Sequence, residues 1–227
     1  MFESKYSKVL TVILIIIIIA ILGLLAFFGY DWYQKHMLES DALAFVREYQ
    51  DSENETNTNS TSEESNTTED DPLSQIEEAN QNSNTTQQSG TNTAPTYKGY
   101  EVAGTMEIPQ INFEYPILAK VTPASIETSV AMLYGAGVNQ VGNTVIIGHN
   151  YRNGLFFSNL KKLSVGDKIY IEDNSGNRLT YTIYNKFETT PDDISFYQRD
   201  TNGKAEVTLS TCTEDSKART IIFASAE

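Results

Sequence analysis

The sequence predicts a mainly β domain, a closed or nearly closed barrel, that follows a membrane-spanning helix. Residues 98–227 contain seven or eight short runs rich in β-branched and aromatic residues, and turn-forming residues separate these runs. One or two short stretches in the same region have helical patterning. Many short strands with few helices favour a barrel. By contrast, residues 9–30 form an apolar run of 22 positions without a charge.

The apolar run at 9–30 is long enough to cross a membrane. A helix rises about 1.5 Å per residue, so this run covers roughly 33 Å, against a hydrocarbon core of about 30 Å. The run is also longer than the apolar part of a cleaved signal peptide. Trp32 and Tyr33 follow it directly and are typical interfacial anchors. We therefore predict a transmembrane signal anchor at 9–30, preceded by residues 1–8 and followed by a juxtamembrane helix over 31–50.

The charges that flank this anchor predict its orientation. Lys5 and Lys8 precede it, and Lys35 and Arg47 follow it within about twenty residues. The two lysines on the first side lie close to the apolar run, and basic residues near a span favour the cytoplasmic side. We expect residues 1–8 in the cytoplasm and the catalytic or binding part of the chain outside the cell.

Residues 51–97 are predicted to be a disordered acidic linker. They consist almost entirely of Asn, Ser, Thr, Glu and Gln, and they contain ten acids and no Lys or Arg. Such a segment cannot bury enough apolar surface to offset the entropy lost on ordering. We expect a tether that leaves the domain free to move over the membrane.

The net charge of −14 is concentrated in this linker, because residues 98–227 carry 15 acidic and 12 basic side chains, a net of −3. The domain has no basic stripe, and this disfavours nucleic acid as a partner.

The first part of the domain contains two predicted strands and one predicted helix. The runs "GYEVAGTMEIP" and "FEYPILAK" are typical of short strands interrupted by proline. The run "TPASIETSVAMLYG" predicts a helix over 122–135. Thr122 is its expected N-cap, Pro123 lies in its first turn, and Gly135 ends it.

The second part of the domain contains the remaining strands. "NTVIIGHN" predicts a buried strand that ends at a glycine and a histidine, and "LFFSNLKKL" predicts one or two helical turns. "KIYIEDNSGNRLTYTIY" is a hairpin around an Asn/Gly/Ser turn. "AEVTLSTC" and "RTIIFASA" form a final strand pair. A domain of this length folds without disulfides, so its lone cysteine is free for other uses.

Cys212 is the only cysteine of the chain and closes one strand of the final pair, whereas Arg219 opens the other. An unpaired cysteine is more often a small buried hydrophobe than a nucleophile. If the strands form an antiparallel hairpin, the two residues lie opposite each other, with Cβ atoms about 5 Å apart. A guanidinium at that distance would stabilise a thiolate or a developing oxyanion. A solvated charge at the strand end is the alternative for Arg219.

The chain has two histidines, and His149 is the one in the domain. His36 is juxtamembrane and is expected only to be solvated. His149 follows the predicted buried strand "VIIG", where side chains project from the rim of a barrel, and a lone histidine there is often structural. A cysteine nucleophile nevertheless needs a proton donor for its leaving group. Sequence spacing by itself does not place His149 beside Cys212.

The order of these three residues resembles that of the sortases, the membrane-anchored cysteine transpeptidases of bacterial surfaces. The similarity covers essentially all of residues 98–227. It rests on "GNTVIIGHNYRNGLFFSNLKKLSVGDKIYI" with His149, "VTLSTC" with Cys212, and "ARTIIFA" with Arg219. The N-terminal anchor and polar stalk are also similar to those of the family. The resemblance implies an eight-stranded sortase-type β-barrel, with the site at one end of the strands that carry the cysteine and the arginine.

The resemblance also implies a role for each residue. Cys212, as a thiolate nucleophile, would attack the carbonyl of the Thr–Gly bond in the LPxTG-like sorting signal of a surface protein. His149, as an imidazolium, would be the general acid for the departing amine. Arg219 would bind the substrate backbone or the oxyanion, with the backbone N–H of Thr213 as a second donor. Asn150 would orient the histidine or line the groove.

The partners implied by the resemblance are those of a Gram-positive cell surface. An amine of a peptidoglycan precursor, or of a pilin lysine, would resolve the thioacyl enzyme, and the lipid bilayer would hold the N-terminal anchor. Pilin-polymerising class C sortases carry an Asp-Pro-aromatic lid and a second membrane helix. Here Leu73 follows Asp71 and Pro72, and no second apolar span occurs before Glu227. We therefore expect a housekeeping, class D-like or class B-like enzyme, with a pilin polymerase as the alternative.

Other classes fit less well. An L,D-transpeptidase would carry a Ser/His-x-Gly-Cys-x-x-Arg signature, which "LSTCTEDSKAR" does not match, and papain-like enzymes place the cysteine before the histidine. A non-catalytic membrane-tethered β-domain that only binds peptides or wall polymer is the non-enzymatic alternative.

We expect no cofactor and no metal. Some sortases bind calcium near the loop before the cysteine strand, so calcium is a secondary expectation. No ligand spacing can be read from the acids of that region, and a solvated loop is the better interpretation. These acids are Glu188, Asp192, Asp193 and Asp200.

Overall fold

The structure is a computed structural model that describes residues 3–58 and 94–227. Its first element is one long helix, and the second described range contains nine strands, a short α-helix and two 3-10 turns. In chain order the elements are α1 (Glu3–Thr58), β1 (Thr96–Tyr97), β2 (Tyr100–Ile108), a 3-10 turn (Pro109–Ile111), β3 (Phe113–Leu118), α2 (Pro123–Ile126), β4 (Val130–Tyr134), β5 (Gly142–Ile147), a 3-10 turn (Phe157–Lys162), β6 (Lys168–Asp173), β7 (Arg178–Thr189), β8 (Ala205–Cys212) and β9 (Arg219–Ala226).

Eight of these strands form a closed barrel. The order around the ring is β2, β3, β4, β5, β8, β9, β7 and β6, and pairing of β2 with β6 closes it. The two-residue strand β1 lies outside the ring and pairs with β2. Most neighbours are antiparallel, but β3 is parallel to β4 and β5 is parallel to β8. The prediction of a mainly β, closed eight-stranded barrel with few helices is confirmed.

The strand that carries the cysteine is buried on both faces. All six residues of β8 between its two ends are buried. Its inner face packs into the barrel core, where Leu209 is fully buried. The outer face is covered by the connection between β7 and β8, whose Phe196 packs in a second cluster with Val145, Ile221 and Phe223. A strand covered on both faces is expected to be a continuous run of small and apolar residues.

The predicted helix over 122–135 is wrong beyond its first turn. Thr122 caps the helix as expected, since its side chain accepts a hydrogen bond from the Ser125 N–H, but α2 ends after Ile126. After three intervening residues the chain becomes β4, which pairs with β5 on one side and with β3 on the other. Strand pairing on two sides stabilises the extended form of "VAMLY" more than helix propensity favours the alternative.

Helix α1 contains the predicted membrane anchor. The stretch Leu10–Asp51 includes an 18-residue window with a mean hydropathy of 3.3, and none of that window is buried. By length and composition this stretch is a candidate membrane span. The helix continues to Thr58, past the predicted start of the linker at residue 51. At the other end of the linker, β1 already begins at Thr96.

The rest of the predicted linker, including the motif at Asp71 and Pro72, lies outside the described residues.

The C-terminal part of α1 packs against the barrel. Ala42, Val46 and Tyr49 recur at helical spacing on one face and are buried. The Tyr49 hydroxyl donates a hydrogen bond to Asn174 Oδ1 at 2.7 Å. The ring of Phe45 lies 5.1 Å from that of Tyr97, measured between centroids. This contact corrects the expectation that the linker alone joins the domain to its anchor and leaves it free to move.

Candidate active site

Cys212 and Arg219 lie directly opposite each other. They are paired in the antiparallel register of β8 and β9, as the sequence predicted. The Arg219 Nη1 group donates a hydrogen bond to Cys212 Sγ at 2.6 Å. Cys212 is a free thiol and is partly exposed. The pair therefore presents a free thiol with a guanidinium in direct contact with its sulfur.

A parallel strand pair brings His149 to the same place. In the pairing of β5 with β8, Ile147 lies opposite Ser210. Parallel strands end at the same edge of a sheet, and His149 and Cys212 each follow two residues after these partners. Both side chains line one cleft. The proximity that sequence spacing left open is thus a consequence of the parallel register.

The turn that carries His149 is held tightly against β8. The Thr211 hydroxyl donates to the backbone oxygen of Gly148 at 2.7 Å. The Asn150 side-chain amide donates to the backbone oxygen of Cys212 at 2.9 Å. A Cβ on Gly148 would lie 2.7 Å from a methyl group of Val130, so only glycine fits without a shift. Asn150 therefore holds the backbone of the cysteine through its side-chain amide.

The cleft has a volume of about 300 Å³ and is partly enclosed. Its polar groups lie among apolar and aromatic walls, as is typical of a ligand site. The walls come from α2, β4, β5, and the connection between β7 and β8. Besides the cysteine, the arginine and the histidine, the lining consists of Ile126, Leu133, Ile147, Gly148, Pro191, Asp193, Phe196, Tyr197 and Ser210.

One wall of the cleft is anchored by a buried asparagine. The Asn143 side-chain amide donates to the backbone oxygens of Phe196 and Tyr197, at 3.0 and 2.9 Å. Its own oxygen accepts a hydrogen bond from Arg199 Nη2 at 2.8 Å. Burial raises the pKa of Tyr197 above its usual value, so its hydroxyl is protonated at neutral pH and can donate into the cleft.

Two residues that the sequence did not point to contact the histidine. Glu127 Oε1 lies 3.2 Å from His149 Nε2, which is an ion-pair distance. Its other oxygen accepts a hydrogen bond from the Tyr151 hydroxyl, and the ring of Tyr151 packs against the imidazole with centroids 4.9 Å apart. Burial, and then the bond to Glu127, raise the pKa of Tyr151. Capping residues marked the turn that carries Glu127, but no pattern linked this carboxylate to the histidine.

One sequence expectation does not match the geometry. The backbone N–H of Thr213 donates to the oxygen of Ala218 at 2.9 Å within the turn between β8 and β9. It is therefore committed and is not a free donor for an oxyanion. His36 lies on α1 beside Trp32, and it is not among the described residues that line the cleft.

Two carboxylates of the acidic connection before β8 accept hydrogen bonds from residues that are close to them in sequence. Asp193 accepts hydrogen bonds from the Ser195 N–H and the Thr189 hydroxyl, and hydrogen bonds from Ser195 and Thr189 lower the pKa of Asp193. Asp200 accepts from the Asn202 N–H. Within residues 3–58 and 94–227, no group of three or more His, Cys, Asp or Glu side chains is arranged to hold a metal ion.

Known proteins are similar to this chain in sequence. Sortase A of Bacillus anthracis is 33% identical over 125 residues, which cover 54% of this chain and 58% of that protein. Sortase A of Streptococcus agalactiae serotype III (strain NEM316) is 30% identical over 139 residues, covering 56% and 53%. The chain thus spans little more than half the length of these two relatives.

Solved structures are similar to this chain in fold. A Clostridium perfringens sortase D5 transpeptidase has a TM-score of 0.51 at 28% identity, with 56% of this chain and 79% of that chain covered. Sortase A of Corynebacterium diphtheriae has a TM-score of 0.52 at 28% identity, covering 56% and 61%. A family model described as the sortase domain matches residues 106–227, which is more than half of the sequence. The chain therefore belongs to the sortase family.

Proposed function

We propose that this chain is a cysteine transpeptidase that cleaves an LPxTG-like sorting signal between Thr and Gly and transfers the surface protein to a cell-wall amine. The observation that carries the proposal is the hydrogen bond from Arg219 to the Cys212 sulfur, inside a cleft that His149 also lines. Membership of the sortase family supports it. A similar structure is that of a Clostridium perfringens sortase C with the C-terminal cell wall sorting motif, and this supports a sorting signal as substrate.

In the first half-reaction the Cys212 thiolate adds to the threonine carbonyl. The carbonyl oxygen becomes negative in the tetrahedral intermediate, and the Arg219 guanidinium lies where it can stabilise that charge. The C–N bond to glycine then breaks, and the His149 imidazolium gives its proton to the departing amine. The product is a thioester between the threonine carbonyl and Cys212.

In the second half-reaction an amine of a peptidoglycan precursor attacks the thioester. His149, now neutral, accepts the proton that the amine loses as the new amide bond forms. The Cys212 thiolate leaves and the imidazolium is regenerated, so the enzyme returns to its starting state. Two partial reactions of this kind predict ping-pong kinetics.

The placement of the enzyme follows from α1. We propose that residues 9–30 cross the membrane once, with residues 1–8 in the cytoplasm and the barrel outside. The exposed apolar surface of α1 supports a lipid-facing helix. This location gives the barrel access to surface proteins that are still held at the membrane and to wall precursors on the outer face.

Within the family we propose an anchoring enzyme. Two relatives with 33% and 30% identity are both named sortase A. Similar structures include class C and class D sortases as well, with TM-scores of 0.51, so the fold does not separate the classes. The identity of the acceptor amine separates an anchoring enzyme from a pilin polymerase. No cofactor enters the proposal, and rates measured in calcium and in a chelator test the secondary expectation of calcium dependence.

The test uses the full chain in detergent with LPxTG-type peptides, followed by intact mass spectrometry. We expect an acyl adduct that ends after threonine and that hydroxylamine removes. The adduct can only be on Cys212, because the chain has one cysteine. Replacing it by alanine (Cys212→Ala) should remove the adduct and the product, and Arg219→Ala should reduce both to background.

Acceptor amines distinguish the alternatives. A product with a wall-peptide amine supports the anchoring enzyme, whereas a product formed only with a pilin-type lysine peptide supports the pilin polymerase. Peptide binding without any adduct would favour the non-catalytic β-domain. Cleavage that persists in the Cys212→Ala variant would contradict the mechanism.

A further inference from the structure

We propose that Glu127 is a positioning residue for His149: its carboxylate holds the imidazole of His149 and the phenol of Tyr151 in one cluster beside the cleft. The proposal rests on the transpeptidase function and deepens it. The two Glu127 oxygens have separate partners, since Oε1 lies 3.2 Å from His149 Nε2 and Oε2 accepts from the Tyr151 hydroxyl. Tyr151 also covers one side of the imidazole ring.

Hydrogen bonds on both sides hold the turn that carries Glu127. It is the C-cap residue of α2 and has ordinary helical backbone angles, φ −75° and ψ −14°. The hydroxyl of Ser125, two residues before it, is fully buried and donates to the backbone oxygen of Lys120 at 2.9 Å. Two residues after it, the buried Ser129 hydroxyl donates to the backbone oxygen of Pro116 at 2.6 Å. Anchors on both sides fix the backbone of Glu127 relative to β3.

The side chains of His149 and Glu127 both remain partly exposed, so the carboxylate lies beside the imidazole without leaving contact with water. The His149 side chain is 30% exposed and that of Glu127 is 61% exposed. The Nε2 atom itself is buried, and its contact with the carboxylate is not aligned as a hydrogen bond. The carboxylate is thus largely in contact with solvent, and it lies beside the buried imidazole nitrogen. Partial exposure predicts a modest energetic effect.

The contact assigns different tasks to the two ring nitrogens. Nε2 is buried and lies 3.2 Å from the carboxylate, so we assign to Nδ1 the proton that moves to the leaving amine. After that transfer the neutral imidazole keeps its Nε2 proton, and Nδ1 is the base that accepts the proton of the acceptor amine. A neighbouring group that fixes one nitrogen in this way determines the tautomer of a histidine.

Other charged and titratable groups around the histidine come from different elements. Cys212 on β8, Arg219 on β9 and Asp193 on the connection before β8 line the same cleft. Tyr151 stays protonated at neutral pH. The negative charge of Glu127 therefore adds to that of Asp193 and of a Cys212 thiolate, and it opposes the positive charge of Arg219.

The test is the replacement of Glu127 by glutamine (Glu127→Gln) in the full chain, with thioacyl formation followed as a function of pH. We expect the alkaline limb of kcat/KM to move to lower pH and kcat/KM at pH 7.5 to fall about 5-fold, the size expected of an exposed ion pair. KM should change little, because Glu127 is not among the residues that line the cleft. Glu127→Asp should recover part of the wild-type pH profile.

Two control variants separate positioning from other effects. Glu101→Gln removes the same charge at an exposed position on β2, and it should leave both the rate and the pH profile unchanged. Tyr151→Phe keeps the ring but loses the bond to Glu127. We expect this variant to lower kcat/KM less than Glu127→Gln and to leave the alkaline limb in place.

A measurement without turnover keeps this proposal independent of the transpeptidase function. In a His36→Gln background His149 is the only histidine, and its imidazole can be titrated by NMR. We expect the titration midpoint to move to lower pH in the Glu127→Gln variant. An unchanged midpoint together with an unchanged pH profile would overturn the role of Glu127. A wild-type chain that never forms an adduct would overturn the transpeptidase function, and the NMR titration would still test the contact.

Discussion

At the scale of single residues, the site depends on the guanidinium that touches the sulfur. Arg219 donates to Cys212 Sγ from the facing position of the neighbouring strand, so backbone pairing fixes the distance between them. A planar guanidinium has several donors in a fixed fork, whereas an ammonium is a compact and strongly hydrated point charge. One N–H can therefore contact the sulfur while another stays available for the oxygen of a bound substrate.

This geometry predicts that lysine cannot replace the arginine. In an Arg219→Lys variant the positive charge remains, but the fixed fork that directs two donors at once is lost, and loss of one oxyanion donor costs roughly 100-fold to 1,000-fold in rate. Rapid-quench measurement of thioacyl formation checks this expectation. Arg152→Lys is the matched control, because Arg152 bonds to Ser216 outside the cleft. A wild-type rate in Arg219→Lys would mean that the charge alone is sufficient.

At the scale of elements, the connection between β7 and β8 forms a wall of the cleft and is attached to the barrel through buried polar groups. Asn143 on β5 bonds to the backbone of Phe196 and Tyr197. Arg199 stacks on Phe223 with its guanidinium carbon 3.8 Å from the ring centroid, and it pairs with Glu206 at 2.6 Å. An apolar loop surface is thereby held by hydrogen bonds that only the folded barrel provides.

We predict that replacing Asn143 by alanine will weaken substrate binding more than chemistry. The change leaves two backbone oxygens and part of the Arg199 guanidinium without a partner, and each buried unsatisfied group costs about 1–3 kcal/mol. KM for the peptide should rise and the free energy of unfolding should fall, while kcat changes less. Steady-state kinetics and urea unfolding measure these effects. The exposed Gln198 of the same connection offers a control, Gln198→Ala, which should leave both quantities as in wild type.

At the scale of the whole molecule, the anchor helix and the barrel are joined by a packed surface. Twelve residues separate Tyr30, at the end of the apolar run, from the buried Ala42. At about 1.5 Å per residue they span roughly 18 Å of helix. An ion pair between Lys98 and Asp41, with 3.2 Å between Nζ and Oδ2, lies at the edge of this surface. In the proposed membrane placement, this helix would fix the height of the barrel above the bilayer.

A charge placed in this surface should release the barrel. Val46 is 1% exposed, and in a Val46→Glu variant an unpaired carboxylate would be buried, which disfavours the docked state. We expect hydrogen exchange in residues 40–50 to become at least tenfold faster, with the exchange of β8 and β9 unchanged. Ala44 is exposed on another face of the helix, so Ala44→Glu adds the same charge without this effect. Equal exchange in the two variants would contradict the docking surface.

Several features followed from the sequence because local patterns determine them. The candidate span could be predicted because the length and apolar composition of a charge-free run of 22 residues do not depend on the rest of the fold. The two hairpins follow from alternating strands around short turns, and the final hairpin also sets Cys212 opposite Arg219. Thr122 caps its helix because capping involves only residues three apart.

Other features depend on contacts between distant parts of the chain, and only the tertiary structure decided them. His149 reaches Cys212 through the parallel pairing of β5 with β8, and strands that pair across 50 or more residues leave no local trace of their register. Contacts between separate segments of the chain also decide that "VAMLY" is a strand, that Glu127 lies beside the histidine, and that α1 packs on the barrel. The sequence by itself determined which groups could react, and long-range strand pairing determined which of them meet.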